Sequence, residues 1–274
     1  MSKYSHANFF KFPLPKTTAD LVKDDVVENL GLYFQKFVSY PDQNDWSFEE
    51  NKHNFLKRFA SLAQNQNRLL SYKWLLENYK NRQKAFLKSL AKRGIAHKCI
   101  TFEVSWRLCI GLGSGSVLEG SGMSFHPILG LPYLPASSLK GIFASYLKLD
   151  KNIDENSPEY REIFGGPAID EQNPACRGKV EFLDALPTQV PKFDVDILNC
   201  HYPKYYQENQ PPGDWQSPKP VYFLTVAKGT KFKTALISEK KEKLDQWVKD
   251  FKEAVGVLGV GAKTRVGYGE VQIT

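Results

Sequence analysis

The densest chemistry in this chain lies in Gly256-Val257-Leu258-Gly259-Val260-Gly261-Ala262-Lys263-Thr264-Arg265-Val266-Gly267-Tyr268-Gly269. Glycines let a backbone come close to a ligand and present its N–H donors. Gly259, Gly261 and Gly267 frame Lys263, Thr264 and Arg265, two cations around a hydroxyl. Tyr268 adds a ring on which a base can stack. That set suits phosphate, yet it is not a P-loop. The G-x-x-x-x-G-K-[ST] pattern needs Lys directly after the second Gly, and Ala262 intervenes. A P-loop also leaves a strand and opens a helix, whereas the apolar pattern here runs from helix to strand. A tight helix-to-strand turn with two solvated cations accounts for the same residues.

A second cluster stands at His126 and Ser137-Ser138-Leu139-Lys140-Gly141. Ser137 or Ser138 reads as the cap of a short helix, and Lys140 beside a helix N-terminus suits a phosphate. An ordinary cap with a surface lysine explains it equally. For proton transfer the candidates are His126, His201, Asp184, Asp194 and Asp196, but a general base needs reach and a suitable pKa. Asp194 and Asp196 alternate, so in a strand they would share a face and could hold a metal or form a solvated pair. Cysteines stand at 99, 109, 176 and 200 with no C-x-x-C pair and no completing His cluster, which reads as reduced thiols. No cofactor and no metal is expected.

The charge that accompanies these groups is unevenly placed. The 274-residue chain carries a formal +7 with a pI near 9.0. Between Asn51 and Lys98 stand twelve Lys or Arg against Glu77 alone, a net +11, so the remainder carries −4 of the +7 total. A basic segment permits a polyanion partner. Hydrophobic residues make up 42%, enough for a packed core. No apolar run approaches the ~20 residues of a membrane span. The opening Met1-Ser2-Lys3-Tyr4-Ser5-His6 has no apolar stretch of a signal peptide, so a cytoplasmic location is expected.

The elements that must position these groups follow from periodicity. Residues 31–38 read as strand or helix, and Pro41-Asp42-Gln43-Asn44 as a turn. Residues 51–93 lack Pro and Gly, with Phe55, Phe59, Leu62, Leu69, Leu70, Trp74, Leu76, Tyr79, Phe86, Leu87 and Leu90 mostly at helical steps. This predicts one or two amphipathic helices with a basic outer face, stopping at Gly94. Phe102, Val104, Trp106, Leu108 and Ile110 predict a strand, and Gly111 to Gly130 a glycine-rich loop. The helix after Ser137 has the stripe Leu139, Ile142, Phe143, Tyr146 and Leu147. Strands are predicted at 179–183, 221–226 and 231–237, the last two pairing through Lys228-Gly229-Thr230, with a proline-rich loop over 207–220. Ser238 reads as the cap of a helix striped by Leu244, Trp247, Val248, Phe251, Val255 and Leu258, followed by a closing strand at 268–274. From Ile100 the order is strand, helix, strands, helix, strand, which is α+β and ferredoxin-like with insertions. Two regions are expected: a largely helical basic extension over 1–98 and a second domain over 99–274.

Four stretches resemble one family. Gly259, Gly261, Arg265, Gly267 and Gly269 form Gly-x-Gly-x-x-x-Arg-x-Gly-x-Gly, similar to the glycine-rich loop of the RAMP superfamily. Pro135-Ala136-Ser137-Ser138-Leu139-Lys140-Gly141 resembles its Pro-Gly-Ser-Ser turn, with Ala136 in place of glycine. Gly178-Lys179-Val180-Glu181-Phe182-Leu183-Asp184-Ala185-Leu186-Pro187 is similar to a strand of the sixth RAMP subunit of the type III-B CRISPR (Cmr) complex. His201-Tyr202, Tyr205-Tyr206, Pro212-Gly213-Asp214 and Ser217-Pro218 with Pro220-Val221 resemble that subunit's central loop, although Asn199-Cys200 departs from its Thr-Pro. The resemblance covers residues 100–274. It implies an RRM-like fold and a non-catalytic RNA-binding subunit of a ribonucleoprotein effector in antiviral defence. The implied partners are guide CRISPR RNA, target RNA, other Cmr RAMP subunits and the small helical subunit, with no membrane. The implied RNA-binding residues are Lys140, Lys263, Thr264, Arg265, Tyr268, His126, Ser137, Ser138, Gly259, Gly261 and Gly267. Two rival roles remain: a metal-independent guide-RNA-processing endoribonuclease of the same superfamily, and a purely structural protein–protein subunit.

Overall fold

The computed structural model describes residues 15–19, 29–38, 48–113, 121–215 and 217–274. The turn expected at 41–44 and part of the 111–130 loop lie outside them. Helix α1 (Lys16–Ala19) is one turn. Asn29 opens α2 (Leu30–Lys36), its Oδ1 accepting the Leu32 N–H at 2.9 Å, so the ambiguous stretch at 31–38 is helical. The basic stretch forms two helices, α3 (Phe48–Leu62) and α4 (Gln66–Lys92), separated by a turn at 63–65.

These helices bury aromatic residues from one side only. Phe34 meets Phe59 edge-on at 5.1 Å, and Phe59 meets Phe125 at 5.9 Å and Phe193 at 5.4 Å. The N-terminal helices therefore share a core with the chain beyond residue 99. Along α4 the inward face is Tyr72, Leu76, Leu87 and Leu90. Leu70, Trp74 and Phe86 from the expected stripe are exposed instead, and Tyr72, absent from that stripe, is buried with its hydroxyl accepting the Leu30 N–H at 2.6 Å. A tyrosine that finds a polar partner can replace an aliphatic residue at such a step.

The central sheet is antiparallel throughout. Strand β1 (Ala96–Val104) starts earlier and stops sooner than its alternation suggests. Helix α5 (Ala136–Leu149) follows, then α6 (Pro158–Phe164), the short pair β2 (Gly165–Gly166) and β3 (Cys176–Arg177), and two brief strands, β4 (Glu181–Phe182) and β5 (Leu186–Pro187). Next come β6 (Phe193–Cys200), α7 (Pro203–Glu208), β7 (Lys219–Val226), β8 (Lys231–Ser238), α8 (Lys241–Leu258), a 3-10 turn (Thr264–Val266) and β9 (Val271–Ile273). The sheet order is β4-β8-β1-β9, with β5 also on β8. Ile100, Phe102 and Val104 share one face with Phe232 and Leu236, and α5 and α8 cover it through Phe143 and Phe251, 5.8 Å apart. On the other face α4 seats Leu87 and Leu90 on Ala235 and Ile237. The fold is α+β, and no helix among the described residues is long and apolar enough to cross a membrane.

Several local expectations are corrected. The hairpin expected between 221–226 and 231–237 does not form: β7 pairs with β6 and β8 with β1, in separate sheets. β6 supplies the partner that went unread, and the Gly229 N–H donates to the Val104 carbonyl at 2.9 Å, fixing the turn to β1 rather than folding β8 back. Ser137 and Ser138 do not cap α5. Pro135 holds the cap position, and the Asp184 carboxylate accepts the Ala136 N–H at 2.6 Å. A distant carboxylate thus satisfies a helix-end donor and complements the helix dipole. Lys240 stands at the cap of α8, while Ser238 accepts its backbone N–H at 3.0 Å.

Candidate nucleic-acid interface

The glycine-rich segment is an arch tied to the chain just after β1. Val260 donates to the Gly269 carbonyl at 2.9 Å, Ala262 to Cys109 at 2.8 Å, and Gly269 to Arg107 at 2.7 Å. Two glycines make this closeness possible. A Cβ on Gly261 would collide with the Cys109 carbonyl, and one on Gly269 with the Val260 carbonyl. Lys263 takes a left-handed backbone at φ 60, unusual for a residue with a Cβ. The 3-10 turn follows, and the N–H groups of Lys263, Thr264 and Arg265 have no acceptor among the described residues. Neither Lys263 nor Arg265 has a carboxylate partner there. Burial pushes the Cys109 thiol beneath the arch up to about 12 against the pull of Lys263, so it stays protonated.

The first helix of the sheet meets this arch. An open groove of ≈570 Å³ is lined by Ser138, Gly141, Ile142, Ser145 and Leu149 of α5 and by Val257, Leu258, Gly259, Gly261, Thr264 and Arg265. Gly141 adds no side chain to the groove wall, and a Cβ there would meet nothing within 4 Å. Residues more than a hundred positions apart thus share one concave surface with an unpaired guanidinium at its rim.

Other expected residues fall elsewhere. The Lys140 ammonium donates to the Phe164 carbonyl at 3.1 Å and lies 5.9 Å from that ring, toward α6. Ser137 is exposed on the first turn of α5 but does not line the groove, and Gly267 sits past the 3-10 turn with φ 94. Tyr268 is buried, its hydroxyl donating to Asp196 at 2.8 Å. It offers no open face, and the exposed ring nearby is Trp106, tilted against it at 5.1 Å. Alternation places Trp106 on the buried side with Val104, Leu108 and Ile110; those three are buried, but β1 ends at Val104 and Trp106 alone turns outward.

His126 holds a turn of its own. Its Nδ1 accepts the N–H groups of Ile128 at 3.3 Å and Leu129 at 3.2 Å, and its ring packs edge-on to Tyr133 at 5.6 Å. Burial lowers its pKa, and Asp184 offsets part of that. His201 is exposed beside Tyr202. Asp194 and Asp196 do share a face, and Arg107 stands between them, Nη1 2.6 Å from Asp196 and Nε 3.8 Å from Asp194. Burial alone would raise the Asp196 pKa. Hydrogen bonds from Tyr268, the Ile197 N–H and Arg107 outweigh it and bring the carboxyl below its ordinary value. Arg107, which sequence reading missed, therefore clasps the second sheet to the root of the arch.

Comparison with known proteins gives the family. The family model of the RAMP superfamily matches residues 108–272. The chain is 34% identical over 226 residues to the CMR subunit Cmr6 of Saccharolobus solfataricus, spanning 80% of this chain and 71% of that one. It is 30% identical over 225 residues to the Cmr6 subunit of Pyrococcus furiosus, spanning 62% and 66%. The chain therefore spans about two thirds of the length of these relatives. A chain in the cryo-EM structure of the type III-B Cmr-beta complex bound to cognate target RNA superposes with a TM-score of 0.62 at 28% identity, over 85% of this chain and 76% of that one. The chain belongs to the RAMP superfamily and, within it, to the family of the Cmr6 subunits.

Proposed function

We propose that this chain is a non-catalytic RNA-binding subunit of a type III-B CRISPR effector complex, working in the cytoplasm and holding guide RNA in the groove between α5 and the glycine-rich arch. The observation that carries this reading is the convergence of Ser138 and Gly141 with Gly259, Gly261, Thr264 and Arg265 on one surface. An extended backbone can enter such a groove, with phosphate oxygens facing the unpaired amides of residues 263–265. Ser137, Lys263 and Gly267 flank that path and Tyr268 braces the arch from below, while Lys140 turns toward α6 and His126 lies against α4, away from the groove. Sequence selection is left to guide–target pairing. The sheet with two helices on one face reads as a ferredoxin-like RAMP core, and residues 1–98 as its helical extension. Neighbouring RAMP subunits, target RNA and the small helical subunit are the remaining partners, by analogy with the Cmr complexes that the relatives name.

Four of the five candidate bases are engaged in the fold, and the fifth, His201, stands exposed beside Tyr202 and does not line the groove. His126 has its Nδ1 lone pair occupied by backbone donors, Asp184 is engaged at the α5 N-terminus, and Asp194 and Asp196 share Arg107. The test measures binding of a single-stranded guide-sequence RNA across a salt series. Lys263→Ala with Arg265→Ala is expected to weaken binding and to reduce the slope of log K against log salt by about 1.4, from ~0.7 per phosphate. An unchanged slope removes the arch from the interface. Incubation with repeat RNA in chelator is expected to leave the RNA intact, and a specific cut would favour the processing enzyme.

A further inference from the structure

A second cleft lies away from the groove, between α4 and the outer face of the central sheet. Its volume is ≈690 Å³. Lys80, Lys84 and Lys88 line it from the helix, and Lys233, His97 and Thr101 from the strands. Lys80 pairs with Glu77 at 3.5 Å, but Lys84, Lys88 and Lys233 have no carboxylate partner among the described residues. The Nδ1 of His97 is buried without a hydrogen-bond partner there. Like charges at four-residue steps destabilise a helix, and gathering more of them across a cleft adds to the repulsion. A buried polar atom left unpaired adds a further cost. An anion in the cleft relieves both repulsions.

We infer that this cleft is a second RNA-binding site, taking a short single-stranded segment whose phosphates follow the α4 lysines. Four helical residues rise about 6 Å, so Lys80, Lys84 and Lys88 place three ammonium groups along roughly 12 Å of one wall, a row suited to successive phosphates. Tyr79 lines the same cleft and, with His97, provides rings for a base. A protein segment fits less well. Peptides recognised by strand addition pair along a strand edge, whereas the cleft lies over the sheet face: His97, Cys99 and Thr101 of β1 and Lys233 of β8, strands that pair with each other, line it together. The site is distinct from the groove, since α5 and α8 cover the opposite face of the sheet. The inference rests on the reading of this chain as an RNA-binding subunit, and adds to it a second contact that the arch does not supply.

Two measurements on the full chain test it. The first is near-ultraviolet crosslinking to an oligouridine carrying 4-thiouridine, with crosslinked peptides mapped by mass spectrometry. Crosslinks are expected within 79–88 and 97–101, and are expected to persist in Lys263→Ala/Arg265→Ala. Lys84→Gln/Lys88→Gln should abolish them and reduce the salt slope by about 1.4. The second uses Cys99, exposed in the cleft wall, and Cys176, exposed elsewhere. The same oligouridine should slow alkylation of Cys99 at least threefold and leave Cys176 unchanged. Crosslinks confined to the arch, with the slope unaltered by the lysine pair, overturn the cleft and leave the groove reading intact. Crosslinks at neither place overturn both. Protection of Cys99 by an oligoglutamate peptide but not by RNA assigns the cleft to an acidic protein partner and sinks the proposal.

Discussion

Lys263 separates shape from charge in the arch. Its left-handed backbone costs an L residue about 1–2 kcal/mol, while glycine adopts it freely at an entropic cost of about 0.5–1 kcal/mol. Lys263→Gly is therefore expected to stabilise the chain by about 0.5 kcal/mol, and also to weaken RNA binding through loss of the cation. Urea unfolding and a binding titration on the same variant check both. A stability loss would mean that the lysine side chain makes a structural contact, contrary to its unpaired state. Asp196 acts in the opposite sense. Its pKa lies below the ordinary carboxylate value in the fold, so its contribution to stability is present above an unfolded value near 3.9 and is lost as pH falls through the folded value. Melting temperatures of the wild type should fall steeply below about pH 4, and Asp196→Asn should flatten that fall. Equal profiles would show that the Arg107–Asp196–Tyr268 clasp carries no native-state proton linkage.

At the scale of elements, α5 joins the groove to the core, and two substitutions act on it in opposite directions. Asp184→Ala removes the acceptor of the Ala136 N–H and should cost about 1 kcal/mol, as lost helix caps do. Gly141→Ala adds a methyl with nothing within 4 Å and should stabilise the helix by about 0.8 kcal/mol. If RNA passes over Gly141, that methyl also weakens binding, and unchanged affinity places the strand elsewhere in the groove. The two elements differ in how they read from sequence. Of the stripe Leu139, Ile142, Phe143, Tyr146 and Leu147, all but Ile142 are buried as the spacing requires, because local periodicity reports burial directly; Ile142 is half-buried at the groove. The cap was illegible, because Asp184 lies 48 residues from its partner and no local pattern links them. The β7–β8 hairpin failed for a related reason. Two strands joined by a glycine turn look like partners until β6 competes for one of them.

For the whole molecule, sequence read the glycine-rich loop and the serine turn as separate phosphate sites, and folding brings part of each to one groove. It did not reveal that Tyr268 turns inward, since a ring beside glycines carries no mark of which way it faces. Nor did composition tell whether the basic N-terminal region stands apart. Charge marks the outside of α3 and α4, while their inner faces are set by what they meet: Phe59 lies against Phe125 and Phe193, Leu30 and Phe34 join the same core, and His53 stacks on Tyr222 at 4.0 Å. Each large apolar side chain uncovered by removing these helices costs about 2 kcal/mol. A domain of this size has only about 5–15 kcal/mol of net stability, so a few such exposures exhaust it. The full chain should therefore unfold in a single calorimetric transition whose van't Hoff and calorimetric enthalpies agree. A fragment of residues 94–274 should lack that transition and aggregate through the uncovered aromatics. Two resolved transitions in the full chain, with the second reproduced by the fragment, would instead make residues 1–93 an independent unit, and the cleft between α4 and the sheet would then be a boundary between two modules.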